Sequence, residues 1–572
     1  MTRRPPLSAR GCSSDRVRRT ARAGLIAIGR SLGTLGMALL LALAGAQARA
    51  AEARFDEDAQ PIWKVADDLP IAPPSPSKWN EVASFVDIYW LNPLDDLFAV
   101  RVKPLALDVN SADDVPASSW FTPGKTGQPA ESAAQPRVEA SAPAAAQLPA
   151  GPLEIETARF EGDWPMLVVR DAQGARFLLE FDDPRSPELR TAASVIAARL
   201  LGAAGYPVLA SGIEMIAPED LRIGEGALEY GEHGASGKLQ PEKLAQFLVR
   251  YAAPSNLQTG AASQAASASR ALVRVAAGRL PEGRILGGFA PRGVRQDDPN
   301  DLIPHEARRS LRGLQPLAAW LDLTGIREDR TLDIYLEPEH HVRHYLSGLA
   351  LALGNNRRPE GDAWRRFFPL HAFHPRLLDA LKWQPDLLYA PFAEMNWGDG
   401  FWGARLLLSF TDAEIAAAVA AGRYSDPQVT EYVTGALQER RNRVGRAWIE
   451  AVNGADRFTI RQPAENRWSL ECTDLGTSGG LRSSEDVFYL MTMRALDDKT
   501  ALGYQSRGGA QPTFDLTPFA PGAWMHRQDA SRYAVAEITS WDHTGRNLAG
   551  RALVHIYFDR ASGPRVVGII RD

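Results

Sequence analysis

Cysteine is almost missing: the 572 residues contain two, Cys12 and Cys472. Cys12 lies in a leader expected to be removed, so the mature chain keeps one thiol and has no internal disulfide to stabilise it. Stability must come from buried apolar area, which about 520 residues supply readily in two or three domains. Long apolar runs are also scarce. Beyond residue 50 none reaches the roughly 20 apolar residues of a spanning helix, so no transmembrane segment is expected in the mature chain. Three catalytic signatures are absent as well: a Gly-x-Ser-x-Gly elbow, a Walker loop and a His-Glu-x-x-His helix. The Gly-rich TSGGLRSS at Thr477 has no Lys or helix after it and reads as a β-domain loop.

The first fifty residues carry nine arginines and one acid, then an apolar run from Leu35 to Ala44 and small residues suited to cleavage after Ala48 or Ala50. This is the pattern of a cleaved secretory signal, and it predicts a periplasmic or secreted protein. An apolar core of about ten residues is too short for a membrane anchor. Arg18-Arg19 is only a weak twin-arginine match, and Cys12 precedes the apolar run, so it cannot accept a lipid after cleavage. Cleavage removes nine of 64 basic and one of 69 acidic residues, leaving 55 against 68 and a charge of −13. That balance excludes nucleic acid as an expected partner.

The mature chain divides by composition. Residues 51–110 read as an N-terminal arm with short extended pieces. Residues 111–152 shift to Ala, Ser, Pro and Gln and read as a disordered linker, because such a composition cannot offset its ordering entropy. From Leu153, three strands are predicted, with a turn at Asp171 to Gly174. A helix follows in SPELRTAASVIAARLLGAAGY, with Ser186-Pro187 at its start and Gly205 at its end. A strand, PVLASGIEMI, comes next. The polar insert 255–270 separates a short helix, PEKLAQFLVRYA, from the strand ALVRVAAGRLP. A helical region is expected over 271–455, with a capping box at Thr411 and Glu414 and a helix opened by Asp426-Pro427. Alternating strands from about 456 to 572 predict an antiparallel β domain, read as a sandwich.

Several phrases carry a resemblance: DVPASSWFTPG near Asp114, FLLEFDDPRSPEL at Phe177, DDPNDLIPHEARRSLRGLQPLAAWL at Asp297, RHYLSGLALALG at Arg343 and FTDAEIAAAVAAGRYSDP at Phe410. Together they span nearly all of the mature chain, which resembles an uncharacterised family of exported bacterial proteins with a kinase-like plan. The resemblance implies a two-lobed central region, its amino-terminal lobe at 153–254 and its helical carboxy-terminal lobe at 271–455. It also implies a set of working positions. A strand Lys neutralises phosphate oxygens and is held by a helix Glu, a loop acid accepts the hydroxyl proton, and an Asn with a second Asp holds magnesium. At those positions this chain has Glu180, Ser194, Thr324 or Gly325, Arg330 and Gly348-Leu349-Ala350. Each has lost its chemistry. Glu180 would put negative charge where phosphates should lie, and Gly348 brings in no cation. Asp322 is the one surviving acid that could act as a base; its bland reading is a turn cap.

Other groupings are weaker. In HHVRH, His340 and His344 share one strand face and His341 the other, and strand residues i and i+4 stand about 13 Å apart, too far to share one ion. His371 and His374 read as packing or capping residues. Trp397, Asp399, Phe401, Trp402 and Arg405 in NWGDGFWGARL place aromatics beside charges, a pattern that suits carbohydrate or protein contact, although such aromatics are on average buried. ERRNRVGR at Glu439 reads as a solvated helix face.

The expectation is an exported α+β protein with no cofactor and no metal. Its central region is kinase-like and degenerate, and it binds or scaffolds an envelope protein or glycan without catalysis. The alternatives are an atypical ATP-dependent phosphotransferase using Asp322, an envelope hydrolase whose site comes from distant residues, and a purely structural envelope component.

Overall fold

A computed structural model describes residues 65–76, 103–123, 147–149, 151–160, 164–230, 236–252, 272–356, 370, 372–495, 501–519, 533–559 and 562–571. The leader, the insert 255–270 and residues 124–146 of the expected linker lie outside them. One unit comprises Phe55–Leu97 and Pro104–Asp572, and a second comprises Met1–Arg54 and Phe98–Lys103. Everything below concerns the first. It is an α+β structure.

Seven strands build its largest sheet: β1 (Leu153–Arg159), β2 (Met166–Arg170), β3 (Arg176–Phe181), β4 (Ala210–Ile216), β5 (Leu221–Tyr230), β6 (Ser236–Lys238) and β7 (Val273–Arg279), in the order β4-β7-β3-β2-β1-β5-β6. All neighbours are antiparallel except β1 and β5. The turn between β2 and β3 forms where the Asp-x-x-Gly pattern puts it: Asp171 Oδ1 accepts the backbone N–H of Gln173 and Ala175. Because β7 lies between β4 and β3, the segment after the polar insert returns to this sheet, and the expected boundary at 254/271 does not separate two bodies.

Strand alternation gives the sheet two faces. Leu167, Val169, Phe177, Leu179 and Phe181 face Leu244, Phe247 and Leu248 of helix α2 (Pro241–Ala252). Val168 and Leu178 face the other way, toward a three-stranded sheet of β8 (Gly283–Gly287), β9 (Thr331–Leu336) and β10 (His341–Leu346).

Helix α1 (Leu189–Ala204) is buried on nearly every side, because it lies between the large sheet and the helical core. It starts later than Ser186-Pro187 suggests. Glu188 takes a left-handed conformation with no side-chain cap, and the capping is done by Asp182 at the end of β3, whose carboxylate accepts the Thr191 N–H at 2.9 Å. Gly205 ends the helix as expected, at φ +115.

The helical core holds α3 (Arg309–Arg312), α4 (Leu314–Leu321), α5 (Ala390–Ala393), α6 (Trp397–Leu408), α7 (Asp412–Ala420) and α8 (Pro427–Ala451). The Thr411–Glu414 capping box opens α7, and Asp426 caps α8 through the Gln428 N–H. ERRNRVGR corrects an expectation: Arg440 is buried and donates to the carbonyls of Ala319, Trp320 and Phe373.

The chain closes with β11 (Ala455–Ala464), β12 (Arg467–Asp474), a short helix α9 (Leu475–Ser478), β13 (Val487–Ala495), β14 (Ala501–Gly508), β15 (Thr513–Asp515), β16 (Tyr533–Asp542), β17 (Asn547–Asp559) and β18 (Gly563–Arg571). They form antiparallel sheets of order β11-β12-β15 and β14-β13-β16-β17-β18, sharing one core that holds the free thiol of Cys472.

The expected linker is ordered over 111–123. Trp120 stacks on His344 with ring centroids 3.6 Å apart, and the Ser119 hydroxyl donates to Asp67 at 2.7 Å. The arm before it is anchored too: Asp108 accepts the backbone N–H groups of Arg309 and Ser310 that open α3. No helix among the described residues is long and apolar enough to cross a membrane.

Candidate functional site

Glu180 lies on the same face of β3 as Leu178 and projects toward α1. One of its carboxylate oxygens accepts the Trp164 indole N–H at 2.5 Å, and the other accepts the Ser194 hydroxyl from the second turn of α1. Glu180 is buried with no cation among these partners. Burial pushes its carboxyl above the usual range, outweighing the two hydrogen bonds that favour the anion. The group is therefore set to hold a proton where an exposed Glu would not.

Across from this pair runs the segment after β10. Glu180, Ser194, Ser211, Leu346, Ser347 and Gly348 line one cleft, whose free volume is about 20 Å³. That is room for about one water, far below the several hundred Å³ of a small-molecule site. Gly348 adopts φ +64, and a Cβ there would fall 2.8 Å from Arg330 Cβ and 3.0 Å from Arg330 Cγ. Glycine is thus required twice, for the backbone angle and for the arginine stem against it. Arg330 donates through Nη1 to the Gly325 carbonyl at 3.0 Å, and its own carbonyl accepts the Ser347 N–H. The loop 322–330 and the segment 347–356 are thereby fastened together.

Thr324 and Asp322 belong to that loop but not to the cleft lining. The Thr324 hydroxyl donates to Asp386 at 2.9 Å, and the Asn356 amide donates to both. Asp322 ends α4 in a left-handed conformation at φ 50. Its carboxylate accepts the Trp383 indole N–H at 3.1 Å and lies 3.9 Å from Arg440. Fully buried and enclosed by these partners, it acts as a helix terminator that joins α4 to α8. Nothing local in the sequence signals Trp164, Asn356, Asp386 or Arg440, whose partners here lie 16 or more residues away.

The aromatic and charged group of α6 is not a surface. Trp397 alone is exposed, at 49 %, and its ring meets Trp448 edge-on at 5.8 Å, whereas Phe401 and Trp402 are 0 % and 1 % exposed. Asp399 closes a capping box with Asn396 and pairs with Arg309 at 3.0 Å and Arg312 at 3.4 Å. The Arg571 guanidinium covers the Phe401 ring at 3.7 Å, and the Trp402 indole donates to Asp114. Arg405 pairs with Asp114 and Asp456. These residues form a buried joint that locks the arm, the helical core and the β domain together. Their charges made them look exposed, but every charge has an opposite partner from a distant segment.

His344 Nδ1 donates to the Asp333 carboxylate at 2.7 Å, and His340 sits in the β9–β10 turn at φ 57, so the three histidines do not converge. No group of three or more His, Cys, Asp or Glu among the described residues could hold a metal ion. His374 caps a turn by accepting the Arg376 N–H, and His371 lies outside the described residues. Compared with family models, curated proteins and solved structures, the chain matches none.

Proposed function

We propose that this protein is an exported, non-catalytic binding or scaffolding component of the cell envelope, built on a degenerate kinase-like plan. The observation that carries the reading is the joining of Glu180, Ser194 and Gly348 in one cleft that Arg330 closes from beside. Three further features support the plan itself. Three antiparallel strands precede a helix, β7 and then β4 extend the same sheet beyond β3, and a helical core follows.

On that plan Glu180 and Ser194 stand where a phosphate-binding Lys and its Glu would pair, and they keep the strand-to-helix tie as a hydrogen bond. The tie retains structure without chemistry. A triphosphate would meet a carboxyl instead of a cation, in a space of about 20 Å³. Arg330 lies against Gly348, where magnesium ligands would stand on this reading, and its guanidinium is held by Gly325. Asp322 is sealed by Trp383 and Arg440, which leaves it without access to a substrate hydroxyl. Function is then left to surfaces that recognise an envelope protein or a glycan. Export rests on the arginine-rich leader and its apolar run.

The test is phosphoryl transfer. Incubated with radiolabelled ATP and either magnesium or manganese, the mature chain should neither label itself nor release phosphate above background. Labelling that disappears in Asp322→Asn would overturn the reading.

A further inference from the structure

A second cavity, of about 350 Å³, lies where the end of α1, the chain leading into β4 and the strand β10 meet. This volume falls within the range of small-molecule sites. Its walls are fixed by backbone hydrogen bonds: Thr122 N–H to Gly205, and Leu346 N–H to Pro207. Gly205 is irreplaceable there, since at φ +115 a Cβ would come within 2.5 Å of the Thr122 carbonyl. The pocket is therefore preformed.

Its charges are of one sign. Arg199 and Arg343 line it, and among the described residues no Asp or Glu does. Arg343 spends one nitrogen on the Thr122 hydroxyl at 3.1 Å, while its Nε is buried without a hydrogen-bond partner. Arg199 is half-buried, its Nε is likewise unpartnered, and no carboxylate among the described residues pairs with it. Burial and then the neighbouring Arg423 lower its proton affinity, the mark of a guanidinium short of negative charge. The carbonyls at the end of α1 do not use it: Leu201 and Gly202 already accept from Gly205 and Tyr206. Arginines such as Arg309 and Arg571 are matched by aspartates, whereas neither half-buried arginine of this cavity is paired with a carboxylate among the described residues. Between them lies apolar surface from Pro207, Val208 and Leu209.

We infer that this cavity binds a small organic oxyanion, with Arg199 and Arg343 gripping a phosphoryl or carboxylate group and Pro207, Val208 and Leu209 receiving the ligand's apolar part. Guanidinium forks match both oxyanions in pairs of N–H···O bonds. The inference stands independently of the kinase-like reading, since it uses neither Glu180 nor Gly348.

The test is thermal unfolding of the mature chain with inorganic phosphate, pyrophosphate or succinate, against sodium chloride at equal ionic strength. At least one anion should raise the midpoint saturably, and phosphate against succinate separates the two oxyanion classes. Arg199→Gln and Arg343→Gln should each weaken the response tenfold or more, while Arg467→Gln, on β12, should leave it unchanged. A second measurement holds even if a variant misfolds: phenylglyoxal modification of Arg199, followed by mass spectrometry, should slow severalfold when the effective anion is present. A response no larger than that to chloride, one that survives Arg199→Gln, or an Arg199 reaction rate indifferent to the anion would overturn the inference.

Discussion

The aliphatic stem of Arg330 lies over Gly348 so closely that a Cβ on the glycine would come within 2.8 Å of the arginine's own Cβ. The two positions are therefore coupled. Gly348→Asp would meet the stem and adopt an unfavourable backbone angle, at a cost of about 2 to 3 kcal/mol. In the background of Arg330→Ala the same change should cost less, because the Cγ and Cδ contacts are removed while the one with Cβ stays. Denaturant unfolding of the two singles and the double measures this coupling; strict additivity would show that the contact is not what excludes a side chain at 348.

Glu180 supplies a pH signature. Its carboxyl titrates above the usual range when folded, so between its ordinary and folded values the folded state keeps a proton that the unfolded chain has lost. Stability therefore falls as pH rises through that window. Glu180→Gln keeps an acceptor for Trp164 and a partner for Ser194 while removing the ionisation. Relative to the wild type it should gain stability as pH rises from 4 to 7.5. Equal stability at both values would count against a buried, proton-holding Glu180.

Asp113 titrates in the opposite sense. Burial alone would raise its carboxyl, but Arg309 and Arg571 outweigh burial and hold it below the ordinary range. Its contribution is present above the unfolded value and is lost as pH falls through the folded one. Arg571→Ala leaves Asp113 and Asp456 buried and short of charge, costing about 3 to 5 kcal/mol. Limited proteolysis should then cut within 104–123 sooner than in the wild type. Unchanged cleavage would mean the joint does not hold the arm.

His555, in the β-domain core beside the Tyr533 hydroxyl, has its proton affinity depressed by burial to about 4. The unfolded chain protonates first, near pH 6.5, so the folded state loses about 3 kcal/mol as pH falls from 6.5 to 4. Histidine NMR titration gives the folded value directly, and a midpoint near 6.5 would remove this acid-sensitive element.

What could be read from the sequence was local. The Asp171–Gly174 turn, the Thr411–Glu414 box and the Asp426-Pro427 start all depend on neighbours within four residues, and all formed. The start of α1 was displaced because its cap, Asp182, belongs to the preceding strand rather than to Ser186. The group in NWGDGFWGARL was read as a surface because its neutralising partners, Arg309, Asp456 and Arg571, are 51 to 170 positions away or more than 80 behind. Residues 111–123 have a linker's composition yet are fixed by such distant pairs. The resemblance singles out Glu180, Ser194 and Gly348, which line one cleft, but Thr324 lies outside it, and Trp164 and the packing of Arg330 against Gly348 needed the third dimension.

The most direct measurement is thermal unfolding of residues 51–572 with and without millimolar ATP and magnesium. A ligand at 100 times its dissociation constant stabilises by about 2.7 kcal/mol, a readily visible shift. The closed, carboxyl-lined cleft predicts no shift beyond that of magnesium with an equal concentration of AMP. A saturable, ATP-specific rise that Glu180→Gln strengthens or Gly348→Ala abolishes would contradict it and make the cleft a nucleotide site.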